Sequence, residues 1–269
     1  MAVSTQKPSI FEKRVVNRKV VISQKYIKYM VSKNELKQLS QLGQKKVRNQ
    51  WGMFSVEGTK AITTFVKNGY SMTHYFGLAN TPSVEGCRML TVAPNDLKKL
   101  SNLKTPASSW AAFSLPKVPD FAPQSLNLAL DGIRDPGNLG TIIRLCDWFG
   151  MTHLLCSEDT VDCFNPKVVQ ASMGSLAKVH VHYVALPQYV HKHNLTVVGT
   201  DMTGTNLYEA QLPDKTVLVM GNEGQGIRDE IQRISDQMIR IPSYGNSAAE
   251  SLNVAMATGI ILSELKRRG

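Results

Sequence analysis

The sequence predicts an α/β protein in two parts: a small α/β domain over residues 32–114, and a larger one over 125–269 built on a parallel sheet flanked by helices. Three observations carry this. Short apolar runs rich in branched residues alternate with segments of helical periodicity along most of the chain, as repeated βα units do. Leu115–Gln124 holds three prolines in ten residues and separates the two series as an extended, semi-rigid linker. The richest glycine turn, Gly221-Asn-Glu-Gly-Gln-Gly226, follows the fifth strand of the second series. A dinucleotide-binding sheet carries its phosphate turn after the first strand.

In the small domain, Ser32-Lys-Asn-Glu35 is a capping box that opens a helix running to about Leu42. Strands are expected at Met53–Val56, Tyr70–Phe76, Arg88–Val92 and Trp110–Phe113, with helices at Thr59–Lys67 and near Asn95–Ser101. In the larger domain the expected strands are Leu126–Leu130, His153–Leu155, Lys178–Val181, Leu195–Thr200, Val217–Met220 and Met238–Ile241. The helices between and after them are Leu139–Phe149, Pro166–Met173, Leu186–His193, Ile227–Ile234 and Glu250–Lys266. Ser247-Ala-Ala-Glu250 is a second capping box, and Leu252, Ala255, Met256, Gly259 and Leu262 recur at helical spacing as a packing face.

Composition narrows the function classes. With 42% hydrophobic and 19% charged residues the chain suits a globular protein, and no run of eighteen apolar residues reads as a membrane span. The amino terminus lacks an apolar signal core, so a cytoplasmic location is expected. Cys87, Cys146, Cys156 and Cys163 form no CxxC pair and read as free thiols. The six histidines are scattered, and His191 and His193 have no third ligand beside them, so no metal is expected. The net charge of +10 is local: twelve Lys/Arg against Glu12 and Glu35 lie before Trp51, and the remainder balances at nineteen of each sign. Residues 1–31 read as a basic extension, and the helix that follows, with Lys33, Lys37, Lys45, Lys46 and Arg48, is the expected seat of nucleic-acid phosphates, the alternative being a solvated tail and helix face.

Two polar-lipped loops leave strands near the carboxy terminus and describe a ligand pocket. One is the turn Gly221–Gly226, with Glu223 in its middle; the other opens at Pro242 and Gly245 and closes at Ser251, Leu252 and Asn253. Thr200–Gly204, at another strand end, is a plausible further wall. Upstream, Asp135-Pro-Gly-Asn138-Leu-Gly-Thr-Ile-Ile-Arg144 leads into a helix whose buried face is Leu139, Ile142, Ile143 and Cys146. Arg144 projects roughly opposite, Asn138 stands at a cap position, and Gly140 leaves space for a substrate beside Arg144. Taken alone, Arg144 reads better as a surface residue paired with Asp147, a preference that Asn138 and the two downstream loops reverse.

These residues resemble a known family. GNEGQG (Gly221–Gly226) and ESLNVAMATG (Glu250–Gly259) are similar to the second and third signature motifs of the SpoU/TrmH branch of the SPOUT class, RNA ribose 2'-O-methyltransferases. Asn138 with Arg144 six residues on resembles the first. The segment beginning at Met30 resembles the usual start of the family, which marks the first thirty residues as an extension. The resemblance implies an L30e-like substrate-binding domain first, and a carboxy-terminal trefoil knot that chain physics alone would not predict. It also implies S-adenosylmethionine as cofactor, ribosomal or transfer RNA as substrate, and a homodimer whose sites borrow groups from the second subunit. By the same resemblance Arg144 is the catalytic residue, supported by Asn138, Glu223, Ser251 and Asn253. The cofactor would be held by Gly221, Asn222, Glu223, Gly224, Ile241, Leu252 and Asn253, with Thr200 as the added wall. Two departures concern the adenosine side: Ile241-Pro-Ser243 replaces the usual IPM, and the loop to Ser251 is about two residues longer than the common form. A nucleotide-dependent oxidoreductase lacks its early GxGxxG here. A non-catalytic RNA binder is disfavoured by the joint presence of all five motif residues.

Overall fold

The computed structural model describes residues 32–213, 215–222, 224–245 and 251–268. The basic extension, Glu223 and the Ser247–Glu250 capping box lie outside the described residues. Two sheets make up the fold. The first carries α1 (Lys33–Leu39), α2 (Lys45–Trp51), β1 (Met53–Glu57), α3 (Thr59–Lys67), β2 (Met72–Gly77), β3 (Leu90–Thr91), α4 (Pro94–Leu100) and β4 (Ser109–Ser114). Its order is β1-β4-β2-β3, antiparallel except between β2 and β3. Ser32 caps α1 as expected, its hydroxyl accepting from the Glu35 N–H at 3.1 Å. The entry helix is shorter than expected: it breaks at a 3-10 turn over Ser40–Gly43, and the basic cluster forms a second helix. At the break a side chain at Gly43 would come within 2.4 Å of Asn102 Oδ1, and the helix that resumes at Lys45 buries Val47 and Arg48.

The second sheet carries β5 (Leu126–Leu130), α5 (Pro136–Trp148), β6 (His153–Ser157), α6 (Pro166–Ala171), β7 (His180–Val184), α7 (Leu186–Lys192), β8 (Thr196–Asn206), β9 (Thr216–Met220), α8 (Asp229–Arg233), β10 (Gln237–Arg240) and α9 (Val254–Arg268). Its order is β10-β8-β9-β5-β6-β7 and every pairing is parallel. A parallel sheet buried on both faces needs strands that are apolar throughout, with alternate side chains on opposite sides. Leu128, Leu130, Leu218 and Met220 pack on the face covered by α5 and α9, while Ala129, Val217 and Val219 pack on the face covered by α7 and α8. Among the described residues no helix is long and apolar enough to cross a membrane.

The first core runs on into the small sheet. Phe54 of β1 meets the rings of Phe65, Phe113 and, across the junction, Phe164 at 4.6 Å between centroids. Arg48, expected to meet RNA phosphate, is instead part of this junction. It is 2% exposed, donates to the Leu42 and Gly43 carbonyls at 2.9 and 2.8 Å, and forms an ion pair with Asp162. A guanidinium buried this deeply, with both terminal nitrogens taken by two carbonyls and a carboxylate, cannot also bind solvent-borne phosphate. Lys33, Lys37, Lys45 and Lys46 are exposed.

The proline-rich segment is held rather than loose. Phe121 is buried edge-on against His153, His182 and His193, with Tyr189 beside it. His153 Nδ1 and His182 Nε2 are 2.8 Å apart, a pairing that needs one ring neutral. Burial, followed by the neighbouring His153, pushes the His182 imidazole down to about 4. Cys146, Cys156 and Cys163 are buried free thiols, and burial pushes Cys146 and Cys163 up to about 12.

Two outcomes follow for stability. Asp162→Ala leaves the Arg48 guanidinium buried without its counter-ion and should cost about 3 kcal/mol or more in denaturant unfolding; a loss within about 0.5 kcal/mol would show that the pair does not hold the junction. The histidine pair contributes stability fully above the ordinary histidine value of about 6.5 and loses it as pH falls towards about 4, because the unfolded chain takes up the proton first. Unfolding free energy should therefore fall between pH 7.5 and 5.5, and less so in His182→Asn; equal slopes in both proteins would contradict this.

Candidate functional site

Strand β9 empties into the glycine turn at the carboxy-terminal edge of the sheet, where ligands of open α/β sheets bind. The turn folds back on itself through mutual backbone bonds between Asn222 and Gly226, at 2.9 and 2.8 Å. A side chain at Gly221 would lie 2.3 Å from the Gly226 carbonyl carbon, so this glycine is required by the turn's own backbone. Gly226 supplies a φ of +69°. The Asn222 amide donates to the Gly132 carbonyl at 2.8 Å, and its Oδ1 accepts from Gly224 N at 2.9 Å. Its side chain therefore fastens the turn to the end of β5.

A polar lock not expected from the sequence fixes the same edge. Asp131, 1% exposed and directly after β5, accepts from the Arg228 backbone N–H at 2.8 Å and from Arg228 Nε at 2.7 Å. The Asp131 hydrogen bonds hold the Arg228 pKa above its usual value. Asp159 approaches the same guanidinium at 3.5 Å, and its carboxyl is held below the usual range first by the Ser157 hydroxyl and then by Arg228. The readable signal was an acid immediately after the apolar run Leu128-Ala-Leu130, where a charge must find partners.

Behind the turn lies a cavity of about 420 Å³. Its walls come from three places: the β9 turn, the loop after β10 with the approach to α9, and a bulge in β8. The bulge arises because β10 pairs first with Val198–Gly199 and then with Thr205–Asn206, so Thr200–Gly204 arches outward. Asp201 pins the arch by accepting from the Thr203 and Gly204 N–H groups, both at 2.6 Å. Of the residues expected at a cofactor, Thr200, Gly221, Asn222, Ile241 and Leu252 line the cavity, as does Ser251. Gly224 and Asn253 are not among its lining residues, and Glu223 is outside the described residues.

Arg144, Asn138 and Asn253 group on the neighbouring helices. The N-cap of α5 is Asp135, whose carboxylate accepts from Asn138 N at 2.8 Å, so Asn138 lies inside the first turn rather than at the cap. Asn253 is itself the cap of α9: its Oδ1 accepts from Ala255 N at 3.0 Å and Met256 N at 3.3 Å. Its Nδ2 donates to Asn138 Oδ1 at 2.9 Å and ties the first motif to the third. The helix thus begins at Val254, later than expected, and buries Val254, Ala255, Thr258, Ile261 and Leu262. Leu252 and Met256, expected on the packing face, are 50% and 64% exposed.

Leu139, Ile142, Ile143 and Cys146 form the buried face of α5 as expected, and Arg144 is exposed opposite them. Arg144 does not pair with Asp147, which accepts instead from the Ser175 hydroxyl at 2.8 Å and Lys178 Nζ at 3.2 Å. Gly140 does not open a path to Arg144. A side chain there would lie 2.5 Å from Ala171 Cβ and 2.7 Å from the Val168 carbonyl, so the glycine serves close packing of α5 on α6. Among the described residues no cluster of three His, Cys, Asp or Glu could hold a metal ion.

Comparison with known proteins agrees with this geometry. Residues 125–263 match the SpoU rRNA methylase family, and residues 33–111 match the MRM3-like substrate binding domain. A TrmH-family structure from Porphyromonas gingivalis is 37% identical, with a TM-score of 0.79, and the match covers 89% of this chain and all of that one. An AdoMet-bound rRNA methyltransferase from Sinorhizobium meliloti is 29% identical, with a TM-score of 0.78, over 89% of this chain and 97% of that one. RlmP of Bacillus subtilis, a 23S rRNA guanosine 2'-O-methyltransferase, is 29% identical over 87% of this chain and 97% of its own length. The three motifs, the parallel sheet and the cavity at its carboxy-terminal edge are those of one lineage: the chain belongs to the SpoU rRNA methylase family.

Proposed function

We propose that this protein transfers a methyl group from S-adenosylmethionine to a ribose 2'-hydroxyl of RNA, with ribosomal RNA as the favoured substrate because the family and the full-length relative RlmP carry that name. The observation that carries the reading is the cavity built from the two motif loops. Its volume of about 420 Å³ lies in the range of small-molecule sites, and its walls suit an amphipathic nucleoside. Met220, Ile239, Ile241 and Val254 offer apolar surface, while the backbone of Gly221, Ile241 and Leu252 offers hydrogen bonds to an adenosine. When bound, S-adenosylmethionine supplies a methyl carbon already activated by its sulfonium.

The chain's own residues must then align the ribose and make a weakly acidic hydroxyl nucleophilic; alignment alone is worth several kcal/mol. Arg144 keeps its proton, so it serves as a fork that clamps a neighbouring phosphate and stabilises the developing alkoxide. The proton passes to a phosphate oxygen, water or Glu223. Asn138 and Asn253 hold α5 and α9 in register, which positions Arg144, and Ser251 lines the cavity. Arg144 is exposed and is not among the lining residues of this chain's cavity. We therefore assign it to the cavity of a second copy, in a homodimer whose sites are each built from two chains. In this reading residues 32–114 recognise RNA through Lys33, Lys37, Lys45 and Lys46, residues 115–124 link the domains, and 125–269 perform the transfer through a knotted carboxy-terminal segment.

The test is transfer of tritiated methyl to total RNA from cells lacking the protein, followed by mapping of ribose methylation. Arg144→Ala should lower turnover by about 100-fold or more while the thermal shift given by S-adenosylmethionine stays unchanged. Arg144→Lys should remain impaired, since a point charge does not replace the fork; full activity in the lysine variant would rule out the clamp.

A further inference from the structure

A second cavity, of about 390 Å³, lies where the small sheet's helices meet the large sheet, and the reading above gives it no role. It shares no residue with the cavity behind the glycine turn. Its apolar surface comes from Leu115, Pro116 and Val118 of the proline-rich segment and from Phe164 and Val181 of the larger half. Two of its polar groups are already spent on the protein itself. Asp162 is ion-paired with the buried Arg48 and accepts from Phe164 N at 3.0 Å. The Tyr183 hydroxyl accepts from Cys163 N and donates to the Val161 carbonyl, both at 2.7 Å. Three further polar side chains face the cavity unspent: Lys45, Asn49 and Glu158 are exposed, and among the described residues none of them makes a side-chain hydrogen bond or ion pair. Lys45 and Asn49 stand one turn apart on α2, inside the stretch that matches the MRM3-like substrate binding domain. Glu158 directly follows β6, and its neighbour Asp159 approaches Arg228 of the lock beside the glycine turn at 3.5 Å. The cavity therefore joins the recognition half of the chain to the sheet edge that carries the motifs.

We propose that this junction cavity holds an unpaired guanine base of the RNA substrate, read through Glu158, Asn49 and Lys45. This rests on the assignment of RNA methyl transfer and adds a base recognised away from the donor cavity. Sequence-specific reading of RNA uses bases that have left the helix, held on their flat faces and hydrogen-bonded along their edges. Apolar walls with a few unspent polar groups suit such a base. A carboxylate only accepts, and guanine alone among the RNA bases turns two adjacent donors outward on its pairing edge, N1–H and the N2 amino group. Glu158 takes those donors, the Asn49 amide donates to O6, and Lys45 meets the flanking phosphate. Adenine turns its N1 acceptor towards the carboxylate instead, which leaves both groups unpaired and costs affinity.

The test measures fluorescence anisotropy of the full-length protein on labelled oligouridylates that carry one central guanosine, inosine or adenosine. Wild type should bind the guanosine strand about ten-fold tighter than the adenosine strand, with inosine, which lacks the N2 amino group, between them. Glu158→Ala should bind all three strands alike while unfolding at the wild-type temperature. Lys45→Ala should weaken all three by one common factor and lower the slope of log affinity against log salt by about one. Equal binding of the three strands by wild type overturns the proposal, as does a guanosine preference that survives in Glu158→Ala. A thermal shift with guanosine 5'-monophosphate but no strand preference also overturns it, by assigning the cavity to a free nucleotide. Tritiated-methyl transfer by the wild type is read separately. Its absence counts against the methyltransferase reading whatever the strands show, and its presence without a guanosine preference counts against the cavity alone.

Discussion

A carboxylate forced into a dry sheet edge has to be satisfied in place, and Asp131 is satisfied by both the backbone and the guanidinium of Arg228. That pairing joins the end of β5 to the segment after β9, across the middle of the parallel sheet. Asn222 adds a second tie to Gly132, and the missing side chain at Gly221 lets the turn close on itself. Asn222 and Gly226 are thereby held to each other and to the end of β5 by the chain's own bonds. A preformed wall matters because a methyl donor must be held within a fraction of an ångström of the in-line direction.

The small sheet is tied to this scaffold as firmly as the motifs are to one another. Arg48 and Phe54 reach from it into the loop that carries Asp162 and Phe164. A recognition module packed through a common core transmits its orientation to the chemistry, where a loose tether would not. On α5, Arg144 is outward and Gly140 is packed inward.

Much of this was legible in the sequence for definite physical reasons. Strands buried on both faces read as short, uniformly apolar runs, and the glycine turn stood out because three glycines follow such a run. What failed was whatever depended on a partner distant in the chain. Arg48 looked like part of a solvated basic cluster, but a carboxylate 114 residues away engages it. Gly140 looked like space for a substrate because its neighbour Arg144 mattered, whereas α6 occupies that space. Leu252 and Met256 matched a helical period that begins only at Val254, so the true buried stripe is rotated. The Asp131–Arg228 lock joins the end of β5 to the segment after β9, strands that are neighbours in the sheet order β10-β8-β9-β5-β6-β7 but far apart in the chain.

The central claim is that one copy's cavity works with the other copy's guanidinium. Subunit complementation tests it most directly: Arg144→Ala protein, with its cavity intact, is mixed and reassociated with protein whose cavity is blocked by Ala257→Trp, and methyl transfer to RNA is measured. Each variant alone should be inactive and the mixture should regain activity, because a mixed dimer contains one complete site. A mixture as inactive as its components, with mixed dimers shown to form, would place Arg144 and the cavity on the same chain and contradict the account.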